Sequence, residues 1–539
     1  MKMQLKPLKC FVPATIVVVL IFLTTANICR GHVNDFDIII RGGQIVDGTG
    51  SEAYRTDIGI KDGRIVEIGK LQDGKSGRII NAEGMTAAPG FIDIHTHTDH
   101  DILKNPSAEN YIRQGVTTVV GGNCGGSPYP IGGFLKRVSS RGIALNFALL
   151  AGHNTIRREI MGMENRPLVI GELEKMKALL ERAMKEGAFG LSTGLKYVPG
   201  AYASTDEVVE LAKVAAKYGG FYATHMRDEG RGLIKAVREA IEIAKRAKIG
   251  VQISHHKLVG KSMWNSSIKT LEMVDKAIDD GLDITLDQYP YTATSTNLTV
   301  LFPSWALEGG QNRLKERLNN PRLRQKIKET VVDNILFDRG GGDASRIVIV
   351  SCSAEGDLEG KSIAEITRMH GKQPTAENAA ETIMDLQYAG AASAIYHCLC
   401  EYDVEQIMKH PLVMHASDGS AVTFGQAKPH PRNYGTFPRV LACYVREKKM
   451  ISLPEAVRKM TLLPASRLKL KDRGVLKKGM AADIVVFEPK SVADKATWQN
   501  PHQYAEGIPY VLVNGQLVID DNKRTEAFPG KVLYGPGKK

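Results

Sequence analysis

Between Pro89 and about Asp472, eight short apolar segments alternate with longer stretches of helical periodicity. They lie near Phe91 to Ile94, Thr117 to Val120, Leu145 to Leu150, Ala188 to Leu191, Phe221 to Ala223, Val251 to Ile253, Ile284 to Leu286 and Leu412 to Met414. Such alternation is the order of a parallel sheet whose strands are joined by crossover helices. Eight repeats are what an α/β fold needs to close as a (β/α)8 barrel of the TIM type. One crossover helix is marked by Ser204 and Glu207, which have the capping-box spacing and open an amphipathic run through Tyr218. The interval between the last two segments is too long for a single crossover. Roughly Thr292 to Ile347 within it is therefore expected to form an inserted subdomain or lid before the last barrel strand.

The two ends read differently. FDIIIRGGQIVDGTG, TDIGIKDGRIVEIG and RIINAEGM near the start alternate apolar residues with Gly-Gly and Asp-Gly, and GMAADIVVFEP and IPYVLVNGQLVID repeat the pattern near the finish. These are hairpin signals. Residues 32–88 and 473–539 are expected to pair as one small β-sandwich domain flanking a barrel of residues 89–472. Ahead of them, Lys2, Lys6 and Lys9 precede an apolar run from Val12 to Leu23 and small residues from Thr24 to Ala26. That is the order of a secretory signal, here residues 1–31 with cleavage after Ala26 or Gly31. It implies an exported, periplasmic or extracellular protein, with an uncleaved membrane anchor as the weaker reading. Cys29 follows Ala26, Asn27 and Ile28, a poor lipoprotein signal, and no later segment is long and apolar enough to span a bilayer.

Composition excludes several classes. Of 539 residues 43% are hydrophobic and 24% charged, so the chain is neither disordered nor disulfide-dense. The net charge of +12 is spread among acidic residues without an aromatic-studded stripe, which argues against a nucleic-acid partner. Five cysteines lie beyond the leader (Cys124, Cys352, Cys398, Cys400 and Cys443), an odd count that leaves at least one thiol unpaired.

The chemistry lies where the apolar segments stop. His95 and His97 follow the first in PGFIDIHTHTDH, Cys124 follows VTTVVGG, His225 follows FYAT, His255 follows VQIS, and Asp418 follows LVMHAS. In a barrel all strand ends of this kind meet at one mouth, the face on which such folds build active sites. Thiolate, imidazole and carboxylate together suit zinc better than magnesium or calcium. Six candidate ligands exceed one tetrahedral shell, so two ions sharing a bridging ligand are the natural inference. Other residues have plainer readings. His256 and His415 should face away by strand alternation, Asp99, His100 and Asp101 read as solvated or supporting groups, and His153 in LLAGHNT is open between support, substrate contact and ligation. GGNCGG lacks the lysine and hydroxyl pair of a phosphate loop, so its glycines are read as room for backbone beside a metal.

HTHTD after PGFID, GVTTVVGGNCG, GLSTGLKYVPG, THMRDEG, ISHHK, DQYPYTATS, SDGS and PHPRNYGTFPRVL together resemble the amidohydrolase superfamily, and within it the D-aminoacylase (N-acyl-D-amino-acid deacylase) family. The resemblance implies that Cys124, His225 and His255 hold a tightly bound Zn2+. His95, His97 and Asp418 would hold a second, weaker divalent metal with Cys124 bridging. Relatives elsewhere in the superfamily bridge with a carboxylated lysine, but Lys196 sits several residues into its loop and Cys124 is the better bridge.

The expected reaction is attack of a metal-activated hydroxide on the amide of an N-acyl-D-amino acid, with Asp418 as general base and then general acid. Lys257 shares its strand face with His255 by the two-residue period and is the leading cation for the substrate carboxylate, and the hydroxyls of Tyr289 and Ser295 assist, as the resemblance also implies. A further arginine used by the family has no evident counterpart upstream of Asp418. Gln406 occupies the approximate place, and Arg227 and Arg432 are substitutes. Two other functions fit the same residues: hydrolysis of a cyclic amide, as in hydantoinase-like or dihydroorotase-like relatives, and a catalytically silent binding protein on this fold.

Overall fold

A computed structural model describes Met1 and residues 35–71, 74–353 and 357–539, so the expected leader lies outside the described residues. The chain begins with a meander of β1 (Phe36–Ile45), β2 (Tyr54–Lys61) and β3 (Arg64–Gly69). Asp62 and Gly63, both at positive φ (50° and 75°), make the tight turn that an Asp-Gly pair favours between antiparallel strands. On its other edge β1 carries two parallel neighbours, β4 (Ser76–Asn81) and β5 (Thr86–Pro89). An irregularity between Ile40 and Gly43 interrupts the register of β1.

The barrel follows as β6 (Phe91–Asp93), β7 (Val116–Gly121), β8 (Asn146–Leu149), β9 (Ala151–Gly152), β10 (Gly190–Gly194), β11 (Phe221–His225), β12 (Val251–Ile253) and β13 (Ile284–Gln288). After an insertion it is completed by β17 (Val413–His415). Every pairing in the runs β6-β7-β8 and β9-β10-β11-β12-β13-β17 is parallel. β8 and β9 are one stave broken at Leu150, and the Phe189 amide donates to the Leu149 carbonyl (2.9 Å) across it. The ring closes where the Asp418 amide donates to His95 (2.9 Å) and the His97 amide to Gly419 (2.7 Å). All eight expected segments are therefore staves. Each is buried along its length, as a parallel sheet covered on both faces should be. Ile92, Val120, Ala148, Phe221, Ala223 and Met414 from five staves pack together in one cluster.

Helices Glu172–Glu186, Thr205–Lys217, Leu233–Ala247 and Ser267–Asp279 turn apolar stripes toward the strands. Ser204 caps the second of these by accepting from the Glu207 amide (3.2 Å). The reciprocal half of the expected capping box is missing, because the Glu207 carboxylate is buried against His153 and Arg157.

The insertion holds a three-stranded antiparallel sheet of β14 (Thr294–Asn297), β15 (Ile347–Cys352) and β16 (Ala392–Tyr396), with β16 central. Helices Gln311–Asn319, Pro321–Phe337 and Ala376–Ala389 cover it around a separate core that includes Val331, Ile349, Ile383 and Tyr396. The expected limit at Ile347 falls short, since that residue opens β15 and the central strand ends only at Tyr396. Periodicity marks a strand without naming its partner, so the sequence does not separate these strands from barrel staves.

At the end of the chain, β18 (Ile484–Phe487) pairs antiparallel with β5 and leads into β19 (Tyr510–Val513), β20 (Gln516–Asp520) and β21 (Lys523–Arg524). The strands of both ends thus form one nine-stranded sheet around a core of Ile38, Ile60, Ile484, Leu512 and their neighbours. Among the described residues no helix is long and apolar enough to cross a membrane. The five cysteines beyond the leader are all free thiols.

Candidate metal centre and substrate cavity

The six expected ligands meet at the mouth of the barrel. His95, His97, Cys124 and Asp418 each offer one donor atom within a cluster no wider than 4.8 Å, and Cys124, His225 and His255 form a second cluster of the same kind. The Cys124 Sγ lies 3.4 Å from His95 Nε2, 3.7 Å from His225 Nδ1 and 3.4 Å from His255 Nε2. The Asp418 Oδ1 is 3.1 Å from His97 Nε2 and 3.5 Å from His95 Nε2. Cys124 therefore stands between the clusters, as a bridging ligand must.

Local backbone explains how side chains from separate staves converge. Cys124, His255 and Asp418 all sit at positive φ (52°, 37° and 51°), a region that costs a non-glycine residue about 1–3 kcal/mol. Each leaves its strand and turns sharply inward. The spacing argument for Lys257 fails for this reason: β12 ends at Ile253, so strand alternation no longer governs residues 255–257. Gly194, at the end of β10, gives Cys124 room, because a Cβ there would come within 2.2 Å of the Cys124 carbonyl oxygen.

Two buried carboxylates, absent from the sequence expectation, hold the imidazoles. Glu229 faces His225 Nε2 (3.3 Å) and His255 Nδ1 (3.1 Å), and is itself held by Lys257 (2.5 Å) and Arg339 (2.7 Å). Asp287 faces His95 Nδ1 (3.2 Å) and accepts from the His255 amide (2.7 Å) and from Gln252 (2.5 Å). Each of the three rings thus presents one nitrogen to a carboxylate and the other to Cys124, the usual support of a metal-bound histidine. The sequence held signals for both: Asp287 lies one residue before the end of a stave, and Glu229 lies four residues after His225.

The electrostatics suit a cation. Burial pushes the Cys124 thiol well up, and the charges of Asp418, Glu229 and Asp287 add to this, so a nearby positive charge is needed to favour the thiolate. Burial, helped by Lys257, brings His255 down to about 3, and burial outweighs Glu229 in lowering His225. Both imidazoles are therefore neutral with a lone pair to give. Two nitrogens and a sulfur gathered in one cluster fit zinc, which takes such donors in its tetrahedral shell.

Beside this centre is a cavity of about 460 Å³, bordered by Cys124, His225, His255, Lys257, Tyr289, Ser295 and Arg432 among others. The Tyr289 hydroxyl is buried without a protein hydrogen-bond partner. The Arg432 guanidinium lies 4.8 Å from the centre of its ring and forms an ion pair with Asp418 Oδ2 (2.8 Å). Burial alone would raise the Asp418 carboxyl, but Arg432 and the neighbouring imidazoles hold it well below the usual carboxylate range.

Lys257 lines the cavity as expected, yet its ammonium is engaged by Glu229 and lies 2.7 Å from His255 Nδ1. Arg432 supplies the further cation in the cavity, from the segment after Asp418 rather than before it. Gln406 lies on the helix Glu401–Lys409 and is not among the lining residues, and Arg227 is tied to Glu239 (2.8 Å). The plainer readings fare similarly. His153 is turned to Glu207 (2.8 Å), His256 bonds Thr270 (2.9 Å), and Asp99 accepts from the Gly122 amide (2.9 Å). His100 stacks on His97 at the cavity mouth, with ring centres 5.8 Å apart.

The barrel and its convergent donors define a class, and the chain matches it in sequence: it belongs to the amidohydrolase family, which it matches over residues 78–519. Within that class its likeness is to the deacylases of D-amino-acid derivatives. It is 36% identical to the D-aminoacylase of Alcaligenes xylosoxydans xylosoxydans over 521 residues, 92% of this chain and 97% of the relative. It superposes with a TM-score of 0.79 on the N-acyl-D-glutamate deacylase of Bordetella bronchiseptica, solved with zinc and a phosphonate mimic of the tetrahedral intermediate. That match is 33% identical and covers 93% of this chain and 99% of the other. A D-aminoacylase structure described in terms of a binuclear metal centre, with one-metal activation and second-metal attenuation, gives a TM-score of 0.80 at 35% identity, covering 93% and 100% of the two chains.

Proposed function

We propose that this chain is a zinc-dependent amidohydrolase that cleaves N-acyl-D-amino acids to a carboxylate and a free D-amino acid. The observation that carries the reading is the convergence of Cys124, His95, His225 and His255 beside a cavity furnished for a carboxylate by Arg432 and Tyr289. Cys124, His225 and His255 would hold the tighter zinc, and His95, His97 and Asp418 a weaker second ion with Cys124 shared. Bound zinc polarises the amide carbonyl and lowers the pKa of water, so that hydroxide is available near neutral pH.

The protein supplies the rest. Asp418, kept ionised by Arg432, takes the proton of the attacking water and returns it to the nitrogen of the departing amine. Arg432 and the Tyr289 hydroxyl, with Ser295 and Lys257, bind the α-carboxylate and fix the amide over the metal ligands. The test is a zinc-loaded assay of N-acetyl-D- and N-acetyl-L-amino acids beside a hydantoin. Turnover of the D-amide supports the reading; turnover of the ring alone overturns it. We also propose that the protein is exported. The basic-apolar-small order from Lys2 to Ala26 supports this, and the N-terminal sequence of the mature protein recovered outside the cytoplasm tests it.

A further inference from the structure

Arg432, the cation that the deacylase reading gives to the substrate carboxylate, is the first residue of the helix Arg432–Arg439, and that helix is held from outside the barrel. Between β18 and β19 the small β domain sends out an excursion, residues 488–509, closed on itself where Ala493 and Glu506 exchange backbone hydrogen bonds (3.2 and 3.1 Å). It meets the helix at three levels. Ahead of the first turn, the Trp498 ring packs edge-on against His430, with ring centres 4.7 Å apart. In the first turn, the Tyr434 hydroxyl lies 2.9 Å from His502 Nδ1. At the last residue, Arg439 pairs with Asp494 (3.3 Å). Gly435 makes this close approach possible, because a Cβ there would lie 2.8 Å from the Asp494 Cβ.

We infer that Trp498 and His502 are positioning residues, through which the small β domain sets the carboxylate-binding guanidinium of Arg432. The inference rests on the deacylase reading and deepens it. Arg432 needs such a hold: its Nε is buried without a protein hydrogen-bond partner, and its contacts with Asp418 and the Tyr289 ring do not fix the backbone behind it. His430 provides the link. Its Nδ1 accepts from the Arg432 amide (3.0 Å) and its Nε2 donates to the Ala293 carbonyl (3.0 Å), a tautomer that the two partners dictate. Trp498 backs this ring and is itself wedged against Tyr291 and His397, with ring centres 6.0 and 4.8 Å away. His502 secures the segment between Asp418 and Arg432, accepting from the Gly425 amide at Nδ1 (3.2 Å) and donating to the Ala427 carbonyl from Nε2 (3.0 Å). Ser420, Val422 and Pro429 of that segment border the metal cavity. The barrel grips the helix from its other side, where Asn110 and Gln114 donate to the Asn433 carbonyl (2.8 and 2.9 Å). Loss of one excursion contact therefore shifts Arg432 without freeing the helix.

The experiment is a double-mutant cycle on the zinc-loaded protein with N-acetyl-D-methionine as substrate. Trp498→Ala should raise KM by about fivefold or more with kcat within about twofold, the mark of a lost binding contact. Bound zinc should be unchanged. Trp498→Phe, which keeps an aromatic edge against His430, should bring KM back to within about twofold of the unaltered protein. His502→Ala should raise KM by about threefold, and it carries the test if Trp498→Ala does not fold. In an Arg432→Met background both substitutions should become nearly silent, because they act through the residue already removed. An equal loss with and without Arg432 overturns the positioning role in favour of general support of the fold, and an unchanged KM in both single variants overturns it outright; either result leaves the deacylase reading intact. If the unaltered protein hydrolyses no N-acyl amino acid, that reading falls and this inference with it.

Discussion

The two halves of the centre share Cys124 but are built differently. On the Cys124, His225 and His255 side both rings are buried and rest on one carboxylate, Glu229, which two cations hold in turn. On the other side His95 is buried on Asp287, but the His97 side chain is 25% exposed and its partners are Asp418 and the exposed ring of His100. Asp418 is itself shared with Arg432. A donor set whose orientation is fixed before binding loses less entropy on taking up an ion. The difference teaches that the first half is a permanent site and the second a conditional one, whose carboxylate is free for proton transfer.

The harshest way to break this comparison is to remove what the halves share. Cys124→Ala should cut bound zinc, measured by elemental analysis, to below about one-tenth and abolish turnover, with the far-UV spectrum unchanged, since the ion holds the site and not the fold. Asp418→Asn should keep the tight zinc yet lower kcat by about a thousandfold, the range of a lost general acid and base. Loss of zinc in that variant would show that the halves are not separable.

Glu229→Gln probes the support of the first half alone. Zinc affinity should fall about 10- to 100-fold in a chelator competition, because both histidines lose a carboxylate partner. Asp287→Asn should weaken it less, as it supports only His95 and the His255 backbone. Arg432→Met tests the second half from the substrate side: KM for the N-acyl amino acid should rise about tenfold or more. The acidic limb of kcat/KM should also move to higher pH. Burial pushes the Asp418 carboxyl up and Arg432 is the leading group that holds it down, so without the guanidinium it protonates earlier as pH falls.

The contrast was half visible in the sequence. A histidine, cysteine or aspartate directly after a short apolar run is a local signal, and the six donors it picked out are those that the fold gathers at the mouth of the eight staves. The supports were less visible, for physical reasons. Glu229 and Asp287 are acidic residues of a kind found on any surface, and only the fold shows that the first faces two imidazoles and the second a third. Arg339 reaches Glu229 from the insertion, across a sequence separation no motif spans. The left-handed backbone at Cys124, His255 and Asp418 is also invisible, since these residue types do not announce positive φ as glycine does. Lys257 shows the cost: an argument from strand alternation picked a cavity residue but missed its bond to Glu229.

The smallest effect belongs to His97→Asn, and it sharpens the comparison most. His97 touches only the conditional half, so the variant should retain the tight zinc and fall in kcat/KM by less than about threefold under one-metal conditions. It should lose the second binding event in a zinc titration followed by calorimetry. Its hydrogen bond keeps Asp418 in place (3.1 Å), so a modest rise in the pKa of the acidic limb should accompany the loss, in the same direction as for Arg432→Met. Should His97→Asn instead silence the enzyme as Cys124→Ala does, the open half is as necessary as the buried one, and burial and carboxylate support are not what divides the site.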